Sequence, residues 1–125
     1  MIQQEGPGWR LARDVTRSNY TVLIGGDHWA IEITEQEWEG LTSLLCDLTD
    51  EHKKITDQLM DEEAISLEIE RSPWWACLDG DRDDWSIHVV LQGDQQRGRG
   101  AEGHWPAPAA KAMTAALRTA WESSQ

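Results

Sequence analysis

Asp79, Asp81 and Asp83 place a carboxylate at every second position, which is how a calcium loop opens and converges oxygens on one ion. The pattern then fails, because Asp84 stands where such a loop needs glycine and Val90 where it needs the bidentate glutamate. The run therefore reads as a charged hairpin turn whose short acidic side chains bond neighbouring amides. His28, His52, His88 and His104 are bases or ligands by type, but none has a partner at a spacing that implies a shared site. Each is read as a strand or helix-surface histidine. Cys46 and Cys77 lie in unrelated contexts, with no second thiol or histidine at ligand spacing. They are expected as reduced, buried small hydrophobes, with no disulfide and no zinc. No glycine-rich phosphate loop occurs, so neither a cofactor nor a catalytic residue is assigned.

Binding is better represented than catalysis. Trp74-Trp75 sits in a strand-like stretch, where neighbouring side chains point to opposite faces, so one ring packs inward and the other is exposed or covered by a partner. An exposed ring can stack an unpaired base. Arg97-Gly98-Arg99-Gly100 resembles a flexible basic clip, and with Arg10, Arg13 and Arg17 it makes one positive patch if the first and last strands are neighbours. The candidate nucleic-acid patch is therefore Arg10, Arg13, Arg97, Arg99 and Trp75. Against it stands the strongest single-sign surface, Glu62, Glu63, Glu68 and Glu70, whose sharper reading is docking of a basic protein and whose plainer one is solubility.

The charge is uneven. Net charge is -12, but residues 27–84 hold 18 acids against Lys53, Lys54, Arg71 and Arg82, while each flank is about +1. A net-negative protein is repelled by phosphate at long range, which weakens a nucleic-acid role without abolishing a local patch. At 125 residues the chain suits a single domain with an ordinary core. Eight Trp, one Tyr and no Phe mean that tryptophan supplies the large rigid core pieces. With no signal-like segment and no apolar run of membrane length, the chain is expected to be cytoplasmic, without a membrane partner.

The elements that must hold these residues follow from periodicity. Met1–Gly8 reads as a polar lead-in, followed by period-two stretches at Gly8–Asp14, Asn19–Ile24 and His28–Ile33, with a tight turn at Gly25-Gly26-Asp27. Thr34-Glu35-Gln36-Glu37 is a capping box, and Trp38, Leu41, Leu44, Leu45 and Leu48 form a helical stripe. Ile55 and Leu59 extend that stripe in a continuous or a broken helix. Ile65, Leu67 and Ile69 alternate with Ser66, Glu68 and Glu70 in a half-exposed strand. Further strands are predicted at Trp74–Leu78 and Trp85–Leu91, and an irregular one at Ala101–Trp105, weakened by glycines. Pro106 and Pro108 fit the first turn of a last helix that buries Ala109, Met113, Ala116, Leu117, Ala120 and Trp121. Strands grouped between helices favour antiparallel sheet. The chain thus reads as one α+β domain built from two units, about 8–60 and 64–123, each of three or four strands and a helix.

Two stretches, Trp29-Ala30-Ile31-Glu32-Ile33-Thr34-Glu35-Gln36-Glu37-Trp38 into Leu41, and Leu59-Met60-Asp61-Glu62-Glu63 through Trp74-Trp75-Ala76-Cys77-Leu78-Asp79-Gly80, carry a resemblance that spans nearly the whole chain. With Gly8-Trp9-Arg10 and His104-Trp105-Pro106-Ala107-Pro108 they resemble a small cyanobacterial family of unknown function. The resemblance implies a fold similar to the Whirly proteins and to the coactivator positive cofactor four, with curved antiparallel sheets and two helices. There, four-strand-and-helix units pair about a pseudo-twofold and the sheet binds single-stranded DNA. The lysine-rich strand signature of Whirly proteins has no counterpart here, since the adjacent lysines Lys53-Lys54 follow the first helix. The expected function is a non-catalytic binding or regulatory module, taking single-stranded nucleic acid by fold or a basic protein partner by charge. An enzyme is the third reading, and it requires a deep pocket with converging titratable groups.

Overall fold

The computed structural model describes residues 1–58, 63–94 and 98–124. Eight strands and two helices follow one another as β1 (Ile2–Gly6), β2 (Trp9–Arg13), β3 (Val22–Gly25), β4 (Ala30–Ile33), α1 (Glu35–Thr56), β5 (Ile65–Arg71), β6 (Trp74–Gly80), β7 (Trp85–Leu91), β8 (Ala101–Trp105) and α2 (Ala109–Ser123). They form two separate antiparallel four-stranded meanders, β1-β2-β3-β4 and β5-β6-β7-β8, each followed by a helix. This is an α+β fold of two like units.

Three strand readings need correction. The supposed polar lead-in is β1, paired in register with β2 from Ile2↔Arg13 to Gly6↔Trp9. An edge strand needs only its backbone ladder and an apolar anchor, here the partly buried Ile2 against the core, so its polar residues hid it. The strand expected at Asn19 begins only at Val22, because Asn19 takes a left-handed φ of 68°, which is turn and not strand geometry. Ala101–Trp105, expected to be irregular, is a regular strand laddered to β7 from Ile87↔Trp105 to Leu91↔Ala101. Its Gly103 is required: a side chain there would overlap the Trp29 ring, which lies across the strand from the other unit.

The helices begin where their caps dictate. Thr34 accepts from the Glu37 amide at 3.1 Å while Glu37 Oε1 accepts from the Thr34 amide at 2.9 Å, the reciprocal capping box read from the sequence. α1 is continuous to Thr56, so Lys53 and Lys54 lie in its last turn and do not follow it; Leu59 lies outside the described residues. α2 starts after Pro108, its N-cap, so the two prolines precede the helix and do not enter its first turn. No described helix is long and apolar enough to cross a membrane.

Packing interlocks the units. α1 lies mainly against β5 and β6 of the other unit, whereas α2 touches α1, β1 and β2 on one side and β7 and β8 on the other. The core that results contains Trp38, Trp74 and Trp105 among its largest fully buried side chains. Two of the buried indoles donate across the unit boundary: Trp74 Nε1 to the Glu37 carbonyl and Trp105 Nε1 to the Gly25 carbonyl, both at 2.9 Å. Trp29 reciprocates, donating Nε1 to the His104 carbonyl at 3.1 Å, with its ring centroid 5.1 Å from that of Trp105.

Candidate functional site

Strand parity decides what the second sheet shows to solvent. Trp74, Ala76 and Leu78 of β6 are buried, so Trp75 and Cys77 are half-buried and Asp79 is exposed on the other face. The same alternation turns Ser66, Glu68 and Glu70 of β5, His88 and Val90 of β7, and Glu102 and His104 of β8 to that outer face. Register then assembles rows across all four strands: Glu70↔Trp75↔Val90↔Glu102, and Glu68↔Cys77↔His88↔His104. Trp75 Nε1 donates to Glu68 Oε2 at 3.2 Å, and its ring meets His88 edge-on at 5.3 Å. His88 Nε2 donates to Glu102 Oε2 at 3.1 Å. The outer face is thus a half-exposed indole framed by carboxylates.

That geometry joins Trp75 to the acidic set and not to the arginines. Glu68 and Glu70 lie beside Trp75; Glu63 is exposed just before β5, and Glu62 lies outside the described residues. Arg10 and Arg13 leave β2 on opposite faces. Arg10 donates to the Trp29 carbonyl at 3.3 Å. Arg13 bonds Glu35 through Nε at 2.9 Å, bonds Ser124 at 3.0 Å and lies 4.5 Å over the Trp38 ring. Arg99 is ion-paired with Glu37 and lies 4.8 Å over the Tyr20 ring, while Arg97 falls outside the described residues. Arg13 and Arg99 are therefore spent on the acidic first turn of α1. A cleft of about 370 Å³ opens there, lined by Tyr20, Thr34, Gln36, Glu37, Pro73, Asp94 and Arg99. Its charges are mixed, with Arg99 already held by Glu37.

The acidic run at residues 79–84 has a structural task. Asp81 Oδ1 accepts from the amides of Asp83 and Asp84 at 3.0 and 2.8 Å, closing the turn. The turn then docks the far end of α1: Arg82 donates to the Thr56 carbonyl at 2.7 Å, and buried His52 donates Nε2 to the Asp81 carbonyl at 2.9 Å. A guanidinium on the last helical carbonyls also suits the negative end of the helix dipole.

Several carboxylates are held in the charged form. The Arg13 guanidinium, with Thr21 assisting, holds Glu35 below its ordinary 4.5. Ser66 and Cys77 hydrogen bonds lower Asp79, and the Asp84 and Asp83 amides lower Asp81. Desolvation pushes both thiols up. Both cysteines are half-buried and not fully buried as expected, Cys77 because it falls on the outward parity of β6. A depressed carboxyl stabilises the fold above its unfolded value, and that contribution is lost as pH falls through the lower folded value. Glu35→Gln should therefore lower stability at neutral pH and flatten the decline below about pH 4.5. Urea midpoints measured from pH 7 to pH 3 test this, and a parallel decline in both proteins would refute it.

Histidine and cysteine clustering on the outer face was invisible to linear spacing. Positions 77, 88 and 104 come from three strands, and only register places them on one row. The available signal was parity, since Cys77 shares that of Trp75 in β6 and His88 that of Val90 in β7.

Fold and surfaces together define a two-unit α+β domain whose second sheet presents an acidic, aromatic face. The chain belongs to the family described as Domain of unknown function (DUF1818), whose model matches residues 4–120. It is similar, at 42% identity and a TM-score of 0.91, to the crystal structure of a protein with unknown function from the DUF155 family of Prochlorococcus sp. NATL2A, with 97% of this chain and 99% of that one covered. No curated protein matches.

Proposed function

We propose that this domain is a non-catalytic recognition module that binds a basic segment of a protein partner on the outer face of the second sheet. The observation that carries this is the half-exposed Trp75 framed by Glu68, Glu70 and Glu102. A guanidinium or ammonium gains from the indole face and from the carboxylates at once, the former worth about 0.5–2 kcal/mol. The excess of acid over base adds electrostatic steering for a cationic partner.

Single-stranded nucleic acid is the second reading. It rests on the likeness of two strand-strand-strand-strand-helix units to the Whirly and positive-cofactor-four plan, a fold-level analogy. It ranks second because a base stacked on Trp75 brings its phosphates against Glu68 and Glu70.

Fluorescence titration separates the two, using an arginine-rich peptide and an oligothymidylate in parallel at low and physiological salt. The peptide should bind saturably, and Trp75→Ala should weaken it by roughly 3- to 30-fold. Glu68→Gln with Glu70→Gln should slow association. Peptide affinity indifferent to Trp75, or oligonucleotide binding alone, would overturn the proposal in favour of the nucleic-acid reading or of neither.

A further inference from the structure

A strand at the edge of a sheet offers its outward N–H and C=O groups to any chain able to pair with them, so edges are usually short, bulged, covered, or marked by lysine or proline. The second sheet has two edges, β5 and β8. Along an antiparallel ladder, successive residues alternate in which neighbouring strand their backbone groups face. The Asp81 amide donates to the Asp84 carbonyl at 3.0 Å and the Gln92 amide to the Pro73 carbonyl at 2.7 Å, which fixes the phase: the odd-numbered residues of β6 face β7, and Trp74, Ala76, Leu78 and Gly80 face β5. Their partners Arg71, Ile69, Leu67 and Ile65 face β6 in return, so the N–H and C=O groups of Ser66, Glu68 and Glu70 point off the sheet. The same phase turns His104 outward on β8, where Trp29 Nε1 from the other unit already occupies its carbonyl.

β5 lacks such a cover among the described residues. It runs for seven residues without lysine, proline or bulge, laddered to β6 at every position, and no other described element donates a backbone bond to Ser66, Glu68 or Glu70. We infer that this free edge takes an extended basic segment of a protein partner as an added, antiparallel strand of the second sheet. The inference rests on the reading of the outer face as a docking surface for a basic segment, and adds the backbone contact that holds the segment and the alternation it must carry.

Both faces of β5 specify that alternation. Ser66, Glu68 and Glu70 are exposed on the outer face, and a residue opposite each of them stands about 4.5–5.5 Å away at Cα, where a cation is the favourable neighbour. Glu70 in turn is paired across the ladder with Trp75, so a guanidinium beside it also approaches the indole. On the inner face Ile65, Leu67 and Ile69 remain half-buried although α1 packs against this strand, and apolar side chains of an added strand would extend their row. The partner segment is therefore one that alternates basic and apolar residues, captured through its main chain. A second copy of this chain fits poorly, because antiparallel pairing of β5 with itself sets Glu68 and Glu70 beside the same acids of the copy. The carboxylates thus guard the edge against self-association while leaving it open to a cationic strand.

The test titrates the full chain with three end-blocked peptides of alternating arginine and valine, matched in length to β5: one unmodified, one N-methylated at the arginines and one N-methylated at the valines. In an antiparallel addition the arginines lie opposite Ser66, Glu68 and Glu70 and turn their amides to β5, whereas the valine amides face solvent. Methylation at the arginines should therefore weaken binding at least about 10-fold, and methylation at the valines less than about 3-fold. Hydrogen exchange at the Ser66, Glu68 and Glu70 amides should slow at least about 10-fold when the unmodified peptide saturates the chain. Equal affinities, a penalty at the valines instead of the arginines, or unchanged exchange at those three amides would each overturn the added strand. Dimerisation of the free chain with the same amides already protected would give the edge to a second copy and overturn it too. Trp75→Ala separates the two readings: weaker binding without edge protection removes the strand and leaves the face, and edge protection indifferent to Trp75 removes the face and leaves the strand. No binding of the unmodified peptide removes both.

Discussion

Trp105→Ala should lower the unfolding free energy by about 3–5 kcal/mol, the cost of deleting a fully buried aromatic side chain. Trp105 closes the boundary between units: it packs against Trp29 at 5.1 Å and donates to the Gly25 carbonyl, which ends β3. Trp105→Phe keeps most of the apolar contact but removes the indole bond to that carbonyl, which β3 also pairs with β2 at Arg10↔Gly25, so it should cost about 0.5–1.5 kcal/mol. The difference between the variants separates packing from hydrogen bonding. Urea denaturation followed by circular dichroism measures both, and a Trp105→Ala midpoint within error of the parent would mean that the units do not depend on this contact. For a single domain with total stability near 5–15 kcal/mol, the alanine variant approaches the limit of folding at 37 °C.

The second large effect concerns Gly103 and carries a sign reversal. Gly103→Ala should destabilise by about 1–3 kcal/mol, because the new methyl occupies the volume of the Trp29 ring. That ring is not free to yield, being hydrogen-bonded to the His104 carbonyl, tilted against Trp105 and close to Gly26 along its Nε1 edge. In a Trp29→Ala background the obstruction is gone, and the same alanine should be neutral or mildly stabilising, since glycine within a strand costs conformational entropy. A double-mutant cycle thus predicts a coupling of about 1–3 kcal/mol. Equal penalties in the two backgrounds would show that Gly103 serves the backbone alone.

Each residue here acts through an element the sequence already marks or conceals. The capping box at Thr34 and the stripe from Trp38 to Leu48 were legible because a helix start and a helical face are local, with period and spacing written in adjacent residues. The outward parity of Glu68 and Glu70 was legible for the same reason. β1 was not, since a polar edge strand has no alternation to read and is defined by its ladder to β2. Gly103 looked like a weakness of β8 because the Trp29 ring that needs its space comes from 74 residues earlier in the chain.

The candidate sites divide along the same line. Trp75 could be placed opposite Trp74 from parity alone, but whether basic or acidic groups surrounded it depended on which strands became neighbours. The arginines looked available in sequence, yet Arg13 and Arg99 meet Glu35 and Glu37 at the first turn of α1, across separations of 22 and 62 residues. The turn read at 79–84 is confined to 81–84, since Asp79 and Gly80 are laddered to Ser86 and Trp85 as the end of β6, and its docking of α1 through Arg82 and His52 required the helix end to be brought beside it. By itself the sequence determined the α+β class, the order of strands and helices apart from β1, the capping box of α1 and the outward faces of β5 and β6, because these follow from chain-local periodicity and stereochemistry. Tertiary structure alone decided the exchange of indole hydrogen bonds between units, the pairing of the arginines and the Cys77–His88–His104 row. Register and packing join residues distant in the chain, and no local pattern encodes which partners those will be.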